Sequence, residues 1–248
     1  MVNLFRARWY GLVQTLPFWG FLILTGVIAA LMTDSTVRFN DAPLGFDGMP
    51  FEEASILAGF VLGIASLWFV AFAAPDEKTG FVKQCLVDAG SRWQWVCSGV
   101  LCFATVLLCF TASFVVGIGT MLLVHGFVPP VSLGAVGGSL HFLCTFLVVS
   151  IAYGCALSLV VVLTRSVGMG VLAAGVLLGG LVESGVAALL MAGGWGYLVD
   201  GWTACTLFGQ LTALCAGGAP SAAGLVCAVA YAVVFLGLAV IVERRRAL

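Results

Sequence analysis

Glu183 is the ionisable residue whose position most clearly suggests chemistry. It stands in an apolar run over residues 167–191, about 16 residues, or roughly 24 Å of helix, from the start of that run. A carboxylate at membrane depth is costly, and such residues often contact substrates or ions. The sequence therefore predicts that Glu183 contacts a cationic or polar substrate or forms a gate. The alternative is a structural Glu that bonds across helices or reaches an external loop.

His141, near the outer start of another apolar run, is the second candidate for a substrate contact or a gate, the alternative being a structural histidine. Glu52 and Glu53 form a carboxylate pair, but they fall in a predicted external loop and no Arg follows within a helical turn. Ser139 and His141 are too close in sequence to face each other on a helix, which argues against a serine-protease dyad. Metal-ligand spacing of His and carboxylates is also missing from the sequence. We therefore expect no catalytic residue, no metal site and no enzymatic activity.

The composition decides which elements must hold these residues. The chain has 248 residues, of which only ten are Lys or Arg and eleven are Asp or Glu. Hydrophobic residues make up 62% of it, and the mean hydropathy is +1.18. Too few charges are available to cover a soluble domain, and a net charge of −1 without a basic stripe argues against nucleic-acid binding. These numbers predict an all-α polytopic protein embedded in a lipid bilayer.

Six apolar segments are long enough to cross a membrane as helices. They are residues 16–32, 54–74, 96–124, 139–163, 167–191 and 222–242. Pro75 is expected to end the second span. A shorter apolar segment, residues 202–216, predicts one re-entrant or external helix between the fifth and sixth spans. Retention of residues 16–32 as the first span is favoured over cleavage as a signal peptide, because the arm before it is long and no clean cleavage site follows.

The few charges predict the orientation of this six-span protein. Nine of the ten basic residues fall on one side, and only Arg38 falls on the other. That other side collects six acids, which are Asp34, Asp41, Asp47, Glu52, Glu53 and Asp200. Since cytoplasmic loops carry the excess of Lys and Arg, both termini are predicted to be cytoplasmic.

Two segments outside the spans carry amphipathic patterns. Residues 1–15 predict an interfacial helix with an apolar stripe, and Arg6 and Arg8 flank this stripe and extend their charged ends away from the apolar phase. The alternative is a flexible basic leader. Residues 76–92 predict a cytoplasmic helix that begins at Asp76 and Glu77 and exposes a polar face. That face suggests a docking surface rather than a mere connection.

Small residues and cysteines leave two further possibilities open. Gly59 with Gly63, and Gly175 with Gly179, have the spacing that lets helices approach closely, either within the chain or at a dimer seam. The cysteines at positions 205 and 215 both fall on the predicted outer side, where a disulfide is possible.

This layout resembles the permease subunit of a type-2 ATP-binding-cassette (ABC) exporter. In the loop between the second and third spans, that family has an acidic residue, a Gly, Leu-rich turns and then Pro-x-Ser-Arg. The corresponding residues here are Glu77, Gly80, Leu86, Ser91 and Arg92. The chain departs from the pattern where Ala89 replaces the proline and where the third span lacks an early Lys. Residues 157–166 are similar to the family's turn between the fourth and fifth spans.

The resemblance implies partners and a division of labour. A separate ABC ATPase subunit would dock on Glu77, Lys83, Gln84, Asp88 and Arg92. ATP and Mg²⁺ would bind that partner, because this chain has no Walker A motif and no cofactor is expected on it. A second permease, identical or paralogous, would complete the pathway.

Within the family, the chain looks most like the short permeases of lantibiotic-type, peptide-antibiotic self-protection systems. That likeness implies the plasma membrane of a bacterium, and the export of a peptide antibiotic, drug or lipid-like molecule in resistance or immunity. The rival interpretation is a small secondary transporter or channel in which Glu183 couples transport to an ion or proton gradient.

Overall fold

The computed structural model describes residues 2–40, 51–78, 92–126, 133–215 and 221–245, and every regular element within these ranges is helical. In chain order the helices are α1 (Val2–Val13), α2 (Leu16–Asn40), α3 (Phe51–Lys78), α4 (Arg92–Val124), α5 (Leu133–Thr164), α6 (Val167–Leu178), α7 (Leu181–Ala192), a 3₁₀ turn (Gly196–Leu198), α8 (Val199–Cys205), α9 (Leu207–Cys215) and α10 (Ala222–Arg245).

Several of these helices are long and apolar enough to cross a membrane. Within the described ranges, four qualify on their own, namely Leu16–Ser35, Trp93–Val124, Leu140–Thr164 and Ala222–Arg245, and α6 with α7 forms a fifth if the bent pair is one span. In α3, the described apolar part is Gly59–Ala74, which is shorter. The expected all-α, membrane-embedded character is therefore confirmed.

The N-terminal arm is helical as expected, and aromatic side chains fix the turn that joins it to α2. The Trp19 indole donates a hydrogen bond of 2.8 Å to the carbonyl of Val13, which closes the end of α1. The ring of Phe18 packs edge-on against Trp68, at 5.8 Å between centroids, and stacks on Phe110 at 6.0 Å. Because Trp68 lies in α3 and Phe110 in α4, this cluster anchors the turn to the centre of the bundle.

Close backbone contacts set the positions of the long helices around α3, α4 and α5. The backbone of α4 at Gly117 lies directly against the carbonyl of Gly26 in α2, and a Cβ would not fit between them. One turn earlier, the Ser113 hydroxyl donates 2.7 Å to the carbonyl of Leu22. Helix α6 rests on α3, and α10 packs along α5. The outer helices α2 and α10 thus lie along α4 and α5 over extended contacts, while the largest buried side chains lie on the central helices.

Gly59 is the member of the two GxxxG pairs that packs against a distant helix. A Cβ on Gly59 would lie 3.9 Å from the sulfur of Cys215 in α9, whereas one on Gly63 or on Gly175 would meet nothing within 4 Å. Among the described glycines, tighter contacts between helices involve residues outside both pairs, such as Gly117. Internal packing therefore applies to Gly59, and the described residues give Gly63 and Gly175 no close neighbour.

Helix α3 continues through Pro75 to Lys78, so Pro75 does not end the helix, although the apolar part of α3 stops at Ala74. A proline removes one N–H donor, and the helix can continue when only one carbonyl near its end loses its partner. Asp76 and Glu77 consequently lie in the last turn of α3, where the sequence predicted the start of a separate helix. The remainder of that predicted helix, residues 79–91, lies outside the described residues.

The segments around the fifth span also differ from expectation. Residues 167–191 are two helices, α6 and α7, bent by 49° at the Gly179–Gly180 break. The predicted helix over residues 202–216 is likewise two, because Thr206 adopts extended backbone with ψ of 155° between α8 and α9. At the first break Gly180 is in contact with another helix, whereas at the second the Thr206 hydroxyl accepts a hydrogen bond of 3.0 Å from the Gly209 N–H and caps α9.

Candidate functional site

The break between α6 and α7 is held open by a side chain from α9. Gly180 has a φ of 63°, in the left-handed region that glycine adopts readily. The ring of Phe208 occupies the space that a Cβ on Gly180 would need. Helix α9, which also packs against α3 and α5, therefore wedges the bend from outside the fifth span.

Glu183 lies in the first turn of α7, directly after this break. The N-terminus of a helix carries a partial positive charge, which stabilises a carboxylate at this position. Next to it, the Ser184 hydroxyl donates 2.8 Å to the carbonyl of Gly180 and so fixes the turn. One carboxylate oxygen of Glu183, Oε2, is buried and accepts no hydrogen bond from any described residue.

Two tyrosines on neighbouring helices lie within electrostatic range of this carboxylate. They are Tyr153 of α5 and Tyr231 of α10. Tyr153 is completely buried, and its hydroxyl has no hydrogen-bond partner among the described residues. The Tyr153 hydroxyl is therefore a second buried polar group that makes no hydrogen bond to Glu183.

Helices α8 and α9 contribute two more buried polar atoms that have no hydrogen-bond partner among the described residues. Gln210 is 2% exposed; its Nε2 donates 3.4 Å to the carbonyl of Cys205, while its Oε1 has no partner among the described residues. The indole nitrogen of Trp202 is also buried without a described acceptor. Buried polar atoms without partners are rare in native proteins, and each such atom requires an explanation. We use the name break cluster for four residues that carry such atoms on α5, α7, α8 and α9, namely Glu183, Tyr153, Gln210 and Trp202.

His141 does not belong to the break cluster. It lies on α5 twelve residues before Tyr153, which corresponds to about 18 Å along the helix axis. The imidazole instead lines an apolar groove of about 420 Å³ between α5 and α10, beside Cys144 and Val229. The two residues predicted as substrate or gate contacts are therefore in separate places.

The predicted docking residues fall at or beyond the ends of described helices. Glu77 is in the last turn of α3 and Arg92 begins α4, and of both only the backbone is described. Lys83, Gln84 and Asp88 lie outside the described residues. Helices α3 and α4 therefore lie on either side of the predicted docking segment, and the segment itself lies outside the described residues.

Arg8 is a polar residue whose role sequence reasoning missed. It was expected to reach outward, but it is 7% exposed. Its guanidinium lies 3.4 Å above the centroid of the Trp95 ring, and Nη1 donates 3.0 Å to the Trp95 carbonyl and 3.2 Å to the Ser98 hydroxyl. Gly99 provides the space, because a Cβ there would be 2.8 Å from Nη1. A signal is present in Trp95 with Ser98 and Gly99 one helical turn later, but nothing local connects it to Arg8.

Asp34 and His125 form a second contact that the sequence did not reveal. The carboxylate Oδ1 and the imidazole Nε2 are 3.0 Å apart, and they join α2 to the residue that follows α4. Both residues fall at the predicted outer ends of their spans. In the part of the chain that the structure describes, no three His, Cys, Asp or Glu side chains cluster as metal ligands would.

Comparisons with known proteins add no relationship. No protein-family model matches the chain, and no curated protein matches it.

Proposed function

We propose that this chain is the membrane-spanning permease subunit of a type-2 ABC exporter. It moves a substrate, such as a peptide antibiotic, drug or lipid-like molecule, out of the cell or membrane with ATP that a separate subunit hydrolyses. The observation that carries the proposal is the order of elements. A helical arm precedes the first candidate span, and two short helices, α8 and α9, come directly before the last one.

The proposed topology has six spans, with both termini in the cytoplasm of a bacterial cell. The four long apolar helices, the bent pair α6–α7 and α3 provide the six crossings. The distribution of basic residues supports the orientation. A second permease, identical or paralogous, packs beside this one, because six helices enclose too little space for a pathway.

The contact between α1 and α4 gives this proposal a route for coupling. Arg8 ties α1 to the first turns of α4, next to the loop on which the ATPase would dock. Movement of that loop on ATP binding would therefore carry α1 and α4 together. A rigid connection of this kind lets a partner's conformational change shift the balance between two states of the bundle.

Co-purification tests the docking surface. The tagged chain, solubilised from its native membrane in mild detergent, should bring down a nucleotide-binding ATPase. Lys83→Glu should reduce the recovered ATPase several-fold, because it reverses a charge on the predicted docking face. Asp200→Lys, a reversal on the opposite side of the membrane, is the matched control and should leave recovery unchanged. A stable, transport-active preparation without an ATPase would refute the exporter proposal.

A second candidate function is supported by the break cluster. Interrupted helices in secondary transporters place helix ends and polar side chains at the substrate or ion site, and Glu183 with Tyr153 fits that description. In this alternative, Glu183 is the coupling residue of a small transporter or channel. In the exporter, the same carboxylate contacts the substrate or gates the pathway.

Transport assays separate the two candidates. If Glu183 couples transport to a proton gradient, uptake or efflux in vesicles should depend on the gradient, and Glu183→Gln should remove that dependence. Asp200→Asn, an acid outside the break cluster, serves as the control and should behave like the wild type. Transport that requires ATP and ignores the gradient would reject the coupling role and favour the exporter.

A further inference from the structure

Two cysteines from different helices meet where α8 ends against the beginning of α10. Cys205 is the last residue of α8, and Cys227 lies in the second turn of α10, where its thiol interacts with that of Cys205. Both are free thiols and half-buried. The pairing differs from the one left open by the sequence, because Cys215 lies against Gly59 of α3.

The backbones around these thiols are in close contact. A Cβ on Gly224 would lie 3.1 Å from the carbonyl of Ala204 and 3.3 Å from Cγ of Gln210. Cys227 stands three residues after Gly224, on the same face of α10, and Cys205 directly follows Ala204. Tyr231, one further turn along that face, interacts electrostatically with both thiols. The close approach of α8 and α10 at Gly224 thus places Cys205 and Cys227 on adjoining segments of the two helices.

The position of the pair along α10 makes it accessible. Cys227 is five residues from the start of α10, or about 7.5 Å along the axis. A helix of 24 residues is about 36 Å long and exceeds the hydrocarbon thickness of about 30 Å. Cys227 therefore lies close to the membrane boundary, within reach of a small water-soluble disulfide.

We propose that Cys205 and Cys227 are a modification site, at which a small external disulfide oxidises them to an intramolecular bond between α8 and α10. The proposal rests on the external placement of α8 in the topology proposed above. The first thiolate attacks the small disulfide, forms a mixed disulfide and releases one thiol. The second thiolate attacks the mixed disulfide, closes the Cys205–Cys227 bond and releases the second thiol. The reagent gains the two electrons that the cysteines lose, and each cysteine loses one proton.

The bond would act on the break cluster through α9. Gln210 donates to the carbonyl of Cys205, and Phe208 on the same helix wedges the break at Gly180. Tying Cys205 to α10 therefore restricts the segment that keeps α6 and α7 bent. Oxidation couples conditions outside the cell to the shape of the fifth span.

The test uses the full chain in intact cells and oxidised glutathione, which is charged and does not cross the membrane. Free thiols are blocked under denaturing conditions, disulfides are reduced, and the released thiols are labelled with a polyethylene-glycol maleimide. We expect two labels in the wild type. Cys205→Ser and Cys227→Ser should each lose the two-label product, whereas the control Cys215→Ser should keep it.

Three outcomes would overturn the proposal. They are no two-label product in wild-type cells, its appearance only after permeabilisation, or its loss in Cys215→Ser with survival in Cys227→Ser. If a serine variant does not accumulate, mass spectrometry of the oxidised wild type decides, since only a peptide joining positions 205 and 227 supports the bond. ATPase co-purification is measured without oxidant, so the two proposals can fail separately.

Discussion

At the scale of single residues, Arg8 shows how a charge can serve packing in a chain with few charges. Its guanidinium stacks on Trp95 and satisfies two acceptors, so removal would cost both a cation–π contact and charge-assisted hydrogen bonds. Hydrogen bonds to charged groups contribute about 1.5–3 kcal/mol each. Arg8 therefore stabilises the docking of α1 far more than an arginine at the membrane surface would.

Replacing Arg8 tests this docking. Arg8→Ala should lower the free energy of unfolding by about 2–3 kcal/mol, because the charge-assisted hydrogen bonds to the Trp95 carbonyl and the Ser98 hydroxyl are lost, although Ser98 still donates to that carbonyl. Arg6→Ala on the same helix is the control, since Arg6 is exposed and should change stability by less than about 0.5 kcal/mol. Thermal unfolding in detergent measures both variants. If Arg8→Ala and Arg6→Ala lower the stability equally, the buried contact of Arg8 contributes no more than an exposed arginine does.

Tyr153 belongs to the same scale, and its hydroxyl separates a binding role from a packing role. Tyr153→Phe removes a buried hydroxyl without a described partner, so the melting temperature should stay the same or rise. If the break cluster contacts a ligand, transport should fall by about tenfold, which corresponds to one lost hydrogen bond. Tyr231→Phe is a matched change of the second phenol. If Tyr153→Phe transports as fast as the wild type, the Tyr153 hydroxyl does not contact the ligand.

At the scale of helices, the bend between α6 and α7 depends on Gly180 and Phe208 together. Gly180→Ala should destabilise the protein by about 1–2 kcal/mol from the left-handed backbone alone, with a further loss because its Cβ meets the Phe208 ring. Unfolding in detergent gives the magnitude.

Gly185 provides the control within α7. A Cβ there meets nothing within 4 Å, so Gly185→Ala should be neutral or stabilising by up to about 1 kcal/mol. The double variant Gly180→Ala with Phe208→Ala removes the collision but keeps the backbone strain, and it should recover only part of the loss. Wild-type stability in Gly180→Ala would mean that the bend is not fixed at this residue.

The same elements show which features a sequence can predict. Runs of apolar residues longer than about 18 residues have few alternatives to membrane helices, and four described helices, or five with the bent pair, are long and apolar enough to cross a membrane. The break at Gly180 was not foreseen, because it depends on Phe208 from another helix. The division at Thr206 does have a local cause, because the Thr206 hydroxyl accepts a hydrogen bond of 3.0 Å from the Gly209 N–H and so caps α9. Glu183 could be selected as a candidate from its position, but its neighbours Tyr153 and Gln210 depend on how three helices pack.

At the scale of the whole molecule, the outer helices differ from the central ones in how much they bury. In the most apolar window of α10, 11% of residues are buried, against 67% in α5. Helices α2 and α10 therefore present most of their apolar surface to lipid or, in the proposed assembly, to a second permease. Their positions depend on narrow seams of small residues rather than on a surrounding core.

The orientation of the bundle is the property on which the docking surface and the thiol pair both depend. Tyr197 follows α7 and is 79% exposed, whereas Ser166 lies in the turn between α5 and α6 and makes no capping hydrogen bond. Tyr197→Cys should gain a label from a membrane-impermeant maleimide in intact cells, while Ser166→Cys should gain one only after permeabilisation. The wild type, with its nine native cysteines, sets the background. The opposite pattern would place Arg165 outside, against the excess of basic residues expected in the cytoplasm, and would put Cys205 and Cys227 in a reducing compartment where their bond could not persist.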